Sequence, residues 1–125
     1  MNDDLFERRR SERRYALNFL DYEIIADAGD VLGKGLARTL NVSETGLRLE
    51  TGSFFEPGQT LRITLGLGDD MIQLCGRVMH SEPVDENLCR TGVMFLEFSA
   101  ADRQTYRRYF DALRQATLAS VAAEV

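Results

Sequence analysis

Thr60-Leu61-Arg62-Ile63-Thr64-Leu65-Gly66-Leu67 alternates almost without a break, with Leu61, Ile63, Leu65 and Leu67 on one face and Arg62 and Thr64 on the other. A sustained period of two marks a strand that buries one face and wets the other. The turn before it has a mechanism. In Glu56-Pro57-Gly58-Gln59, proline presets φ at the second position, and glycine supplies the positive φ that a type II turn needs at the third. Behind the strand, Gly68-Asp69-Asp70 closes a hairpin onto Met71–Met79, where Ile72, Leu74 and Val78 share a face.

The same signal recurs toward the N-terminus. Leu47-Arg48-Leu49-Glu50 alternates strictly, and Gly33 to Leu40 reads as a strand carrying Leu36 and Leu40. Asn41-Val42-Ser43-Glu44-Thr45-Gly46 between them is a compact polar connection. Tyr15 to Asp27 is a first strand, clearest at Tyr22-Glu23-Ile24-Ile25, and Ala28-Gly29-Asp30 is a turn.

Toward the C-terminus, Ser81 to Asn87 reads as a polar loop around Pro83. Thr91 to Phe98 is apolar on both faces, with Val93 and Phe95 one way and Met94, Leu96 and Phe98 the other, so its second face needs a cover. A helix supplies it. Ser99-Ala100-Ala101-Asp102 is a helix start with Ser99 as the cap. Tyr106, Tyr109, Phe110, Leu113 and Thr117 then repeat at helical spacing, with Arg103, Arg107, Arg108 and Arg114 on other faces. Such a stripe is a packing face before it is a ligand box. For the alanine-rich Ala116–Val125, extension of the helix and fraying both stay open.

The sum is a mainly β chain: about six antiparallel strands, then one helix, which suggests a small closed barrel with a helix laid against it. The predicted organisation is a tail at 1–6, a single domain at 7–118 and a tail at 119–125. Within the domain, 7–14 is an arginine-rich segment, 15–98 the barrel and 99–118 the helix.

Composition bounds the function. The chain has 125 residues, a hydrophobic fraction of 44% and a charged fraction of 28%, as expected of one globular domain. No apolar run approaches the ~20 residues of a membrane-spanning helix, and no signal-peptide core opens the chain. Membrane insertion and export are therefore not expected, and a cytoplasmic protein is. Cys75 and Cys89 make no disulfide framework. His80 is the single histidine, so neither a metal site nor a Ser–His nucleophile is supported. No glycine-rich phosphate loop precedes a helix, and the carboxylates are scattered. Catalysis and a bound cofactor are not expected. A pI of about 4.9 also argues against DNA or RNA, since domains that bind them usually exceed about 9.

One segment runs against that charge. Glu7-Arg8-Arg9-Arg10-Ser11-Glu12-Arg13-Arg14 holds five of the fifteen Lys/Arg residues and a formal +3, on a chain whose net charge is −5. A concentrated cation on an anionic body is either a solvated leader or a grip for a small anion. The charge run alone leaves both open; for a grip, arginine offers a flat fork of donors that pairs bidentately with phosphate and with the O6/N7 edge of guanine.

Arg10-Ser11-Glu12-Arg13-Arg14 contains Arg-x-x-x-Arg, and Asn41 to Gly46 is Asn-x-Ser-x-x-Gly. In order and separation these resemble the two signatures of the PilZ domain, a bacterial receptor family for the second messenger cyclic di-GMP. Glu56-Pro57-Gly58, Gly76-Arg77-Val78 and Gly92-Val93-Met94-Phe95 resemble the family's later strands, and Ser99 to Arg103 its helix start. The resemblance covers about Glu7 to Leu113. It implies a six-stranded antiparallel barrel with a C-terminal helix.

It also implies roles. Arg10 and Arg14 are the principal arms to phosphate and guanine, and Arg9 and Arg13 share their spacing one residue earlier. Asn41 and Ser43 read the guanine edge, and Gly46 keeps the approach of the next strand open. Asn41 stands where the family more often has Asp, which keeps an acceptor but loses its charge. The implied function is nucleotide binding and second-messenger signalling by a stand-alone adaptor. Without ligand its arginine segment is expected to be mobile, and ligand fastens it across the barrel before an unidentified effector protein. The alternative is a PilZ-like module that binds a motility, secretion or polysaccharide-synthesis protein without nucleotide.

Overall fold

Leu61, Ile63, Leu65 and Leu67 point inward as their alternation requires, and each is at most 1% exposed. Around them the chain closes on itself. In the computed structural model, which describes residues 19–124 with side chains as far as Gln115, six strands precede one helix. They are β1 (Phe19–Ile25), β2 (Val31–Val42), β3 (Gly46–Thr51), β4 (Thr60–Leu67), β5 (Asp70–Asp85), β6 (Leu88–Phe98) and α1 (Ala100–Glu124). The order around the closed barrel is β1-β2-β3-β6-β5-β4, with β4 returning to β1 and every pair antiparallel. Closure gives every strand a neighbour on both sides over part of its length.

The inward rows of Leu47, Leu49, Ile72, Leu74, Val78 and Val93 fill the interior. Phe55, in the connection between β3 and β4, seals one end and meets Tyr22 edge-on at 5.2 Å. Burying one such side chain stabilises the fold by about 2–3 kcal/mol. Gly58 takes φ +94° and Gln59 N–H donates to Glu56 C=O at 3.2 Å, as the Pro-Gly turn requires.

The helix closes the other end. Ser99 Oγ accepts from the N–H of Asp102 at 3.0 Å, and Asp102 Oδ2 accepts from Gln73 N–H at 3.1 Å, so the cap is tied to β5. Tyr106 is buried, and Tyr109 and Phe110 pack against the core. The helix runs on through the alanine-rich stretch to Glu124.

Two expectations are corrected. Ser81–Asn87 is not a loop: β5 continues to Asp85 and pairs with β6 from Leu88 in a long hairpin. Pro83 is tolerated because β4 pairs with β5 only as far as Arg77, leaving the outer edge of this stretch without a ladder that needs its missing N–H. The helix also covers a different set of β6 residues from the one alternation suggests. Gly76 pairs with Phe95 and Cys75 with Glu97, so Leu96 is an extra residue that flips the alternation. Phe95 and Phe98 therefore both reach Tyr106, at 5.1 and 5.6 Å, while Met94 and Leu96 stay 38% exposed.

Candidate functional site

Two bulges shape one patch of barrel wall. Along β2, Ala37 and Thr39 face the core, so simple alternation sends Asn41 inward as well. Thr39 pairs with Leu49 but Asn41 with Arg48, which makes Leu40 an extra residue and turns Asn41 out. β5 repeats the device. Val78 faces in and pairs with Val93, yet His80 pairs with Gly92, so Met79 is the extra residue and His80 is turned out. The result is a row across four strands: Asn41, Arg48, Gly92, His80. The His80 ring lies over the bare backbone of Gly92, where any side chain would collide with it.

An open depression of about 470 Å³ lies on this row, lined also by Ser43, Gly46, Met79 and Met94. Its charge is unbalanced. One step along the wall, Arg38, Glu50, Arg90 and Glu82 stand in register with alternating sign, and Arg38 Nη2 meets Glu50 Oε2 at 3.2 Å. The row of Arg48 holds no carboxylate, and Arg48 makes no ion pair among the described residues.

The loop beside it is held from within. Ser43 Oγ accepts from the N–H of Thr45 at 3.2 Å and of Gly46 at 3.0 Å, and donates to Gly46 C=O at 3.2 Å. One donor and two acceptors exhaust a hydroxyl, so this side chain holds the loop in shape. Asn41 Oδ1 accepts from Val42 N–H at 2.9 Å, and its side-chain NH₂ has no partner among the described residues. Gly46 is not a turn glycine, since its φ is not positive. It is needed because β3 runs so close to β6 that a side chain there would strike the Val93 carbonyl oxygen.

The helix fastens the same loop from outside. Tyr106 O–H donates to Ser43 C=O at 2.7 Å, and Arg107 and Arg114 each stand 4.0 Å from Glu44. Burial pushes the Tyr106 phenol well above the ordinary tyrosine range, so it stays protonated and donating. Among the described residues, no three His, Cys, Asp or Glu side chains converge as metal ligands. No described helix is long and apolar enough to cross a membrane.

Of the expected site residues, Asn41, Ser43 and Gly46 come together at this depression. Arg9, Arg10, Arg13 and Arg14 lie outside the described residues. Sequence reasoning missed Arg48, Gly92 and His80 as neighbours. Alternation in Leu47-Arg48-Leu49 was enough to turn Arg48 outward, but the register that joins it to Gly92 and His80 is a tertiary fact.

The profile of the PilZ domain matches residues 7–112, from the arginine segment through the first half of α1. The chain belongs to the PilZ domain family. Its members are regulatory domains rather than enzymes. The barrel with its C-terminal helix is also similar to the structure of Bacillus subtilis Inhibitor of motility (MotI/DgrA), with a TM-score of 0.58 and 18% identity. That match covers 80% of this chain and 47% of the other, so the PilZ domain here spans about half the length of that relative. Comparison with curated proteins gave no match.

Proposed function

We propose that this PilZ domain is a receptor for cyclic di-GMP that works as an adaptor, presenting a different surface to an effector protein when the nucleotide is bound. The observation that carries the reading is the outward row Asn41–Arg48–Gly92–His80 beside the Asn-x-Ser-x-x-Gly loop. Asn41 offers a free amide and Arg48 an unpaired guanidinium, both suited to a guanine edge or a phosphate. The His80 ring on Gly92 is a flat platform for a purine face. Ser43 holds the loop, and Gly46 leaves the rim low.

The arginine segment is within reach. β1 starts at Phe19, opposite Arg38 on β2, so the N-terminal end of β1 is at the same end of the barrel as Asn41. Arg38 and Asn41 are three positions apart on one strand, roughly 10 Å. Five residues from Arg14 to Phe19 can span up to about 17 Å. Arg14 and Arg10, with Arg9 and Arg13 beside them, would then close over a ligand that carries two phosphates. Calorimetric titration of cyclic di-GMP in low salt should give heat with the wild type and none with Arg10→Ala/Arg14→Ala. A wild type silent at high micromolar nucleotide defeats the proposal.

The second reading is an interaction module indifferent to nucleotide. It draws on Met79 and Met94, which are exposed beside the same row. A melting temperature unmoved by cyclic di-GMP would favour it.

A further inference from the structure

Helix α1 touches the candidate site at one well-made bond. Tyr106 sits in the helix, 63 residues from Ser43 in sequence, and its hydroxyl reaches the Ser43 carbonyl at 2.7 Å. The ring has little freedom to move. It is 5% exposed, with Phe95 edge-on at 5.1 Å, Phe98 tilted at 5.6 Å and Phe110 stacked at 6.2 Å. The loop it reaches is a small hydrogen-bonded unit: Ser43 N–H also donates to Gly46 C=O at 3.0 Å, and Phe95 N–H donates to Thr45 C=O at 2.8 Å. Phe95 is thus held at both ends, its backbone on the loop and its ring on Tyr106.

We infer that Tyr106 is a positioning residue for the Ser43–Gly46 loop, so that docking of the C-terminal helix sets how well the loop receives its ligand. The hydroxyl does the positioning, and the ring does the packing. Coupling runs both ways: if a docked helix favours the bound loop, a bound loop favours the docked helix by the same factor. The ligand therefore has a route to the opposite end of the chain from its arginine arms.

Tyr109 is the control within the same helix. Its hydroxyl also bonds the barrel, donating to Asp70 Oδ2 at 3.1 Å, but it does not touch the loop. Tyr106→Phe and Tyr109→Phe each remove one helix-to-barrel hydroxyl and keep the ring. Tyr106→Phe should weaken cyclic di-GMP about fivefold, the scale of one lost hydrogen bond, while Tyr109→Phe leaves affinity within about twofold. Equal weakening by both, or by neither, overturns the inference, since a purely structural tyrosine would lower the melting temperature without separating the two variants in affinity.

The affinity readout rests on the receptor reading above, and a second readout does not. In the ligand-free protein, amide exchange at Thr45 and Gly46, the two amides held by Ser43 Oγ, should quicken in Tyr106→Phe and not in Tyr109→Phe. A wild type that binds no nucleotide refutes the receptor reading and leaves the exchange rates to decide. Unchanged exchange in Tyr106→Phe refutes the positioning role.

Discussion

Asn41 and His80 stand at the two ends of one row across the barrel wall, and each is turned outward by a bulge one residue before it. Bulges disrupt a ladder locally, and their value lies in re-aiming a side chain. Here the two together add a polar amide and an imidazole to a wall whose alternation would have buried both. Because both side chains are exposed, trimming them should leave the fold intact. Asn41→Ala and His80→Ala should each weaken cyclic di-GMP by about five- to tenfold, with stability within about 0.5 kcal/mol of wild type. Titration calorimetry and thermal melts on the same samples separate the two effects.

Gly46→Ala should behave in the opposite way. The added methyl would meet the Val93 carbonyl oxygen, which is backbone and cannot swing aside. A cost of about 2–3 kcal/mol is expected, lowering the melting temperature by roughly 10 °C. Gly52→Ala is the comparison: its nearest neighbour is 4.0 Å away and its φ is not positive, so it should be close to neutral.

Much of this was legible in the sequence, and what was not has a common cause. The inward faces of Leu47, Leu49, Leu61, Ile63 and Ile72 follow from alternation alone, and the Pro57-Gly58 turn from its chemistry. Alternation fails one residue at a time, at Leu40, Met79 and Leu96. An extra residue leaves no local signature, because it is defined by the partner strand. The same blindness hid the continuation of β5 past Ser81, where a proline and several charges look like a loop until β6 lies beside them. The motif loop itself was visible, whereas its fastening by Tyr106 was not: helical spacing marked that residue only as part of a packing stripe.

A chain of hydroxyls ties β3, β5 and β6 to Phe55. Thr91 Oγ1 lies 3.1 Å from Thr51 Oγ1 and 3.0 Å from Ser81 Oγ, and Ser81 Oγ accepts from Phe55 N–H at 3.3 Å. Thr91→Val keeps the shape and removes the hub. It should cost about 1–2 kcal/mol in urea unfolding, since Thr51 Oγ1 and Ser81 Oγ each lose a partner, although Thr51 Oγ1 keeps its bond to Ser53 C=O. Cyclic di-GMP affinity should hold, as Thr51 and Thr91 point into the barrel whereas the neighbouring row points out.

Alkaline pH should loosen the helix. Burial raises the Tyr106 phenol in the folded state, so the unfolded chain loses that proton first as pH rises past about 10. The unfolded state then binds fewer protons than the native one, and stability falls with further rise in pH. The contribution is fully present below pH ~10. Tyr109 is raised as well, by burial first and then by Asp70, so it shifts stability in the same direction. In Tyr106→Phe the decline above pH ~10 should be shallower but not absent, as chemical denaturation along a pH series will show.

The central claim is that the nucleotide lands on the bulge-turned row beside the Asn41–Gly46 loop. Titrating cyclic di-GMP into labelled protein and following amide shifts by NMR tests it most directly. The account predicts the largest shifts at Asn41, Ser43, Gly46, Arg48, His80 and Gly92, with Tyr106 following. Shifts confined to Asp21, Lys34 and Leu36, away from the depression, or no shift at all, would contradict it.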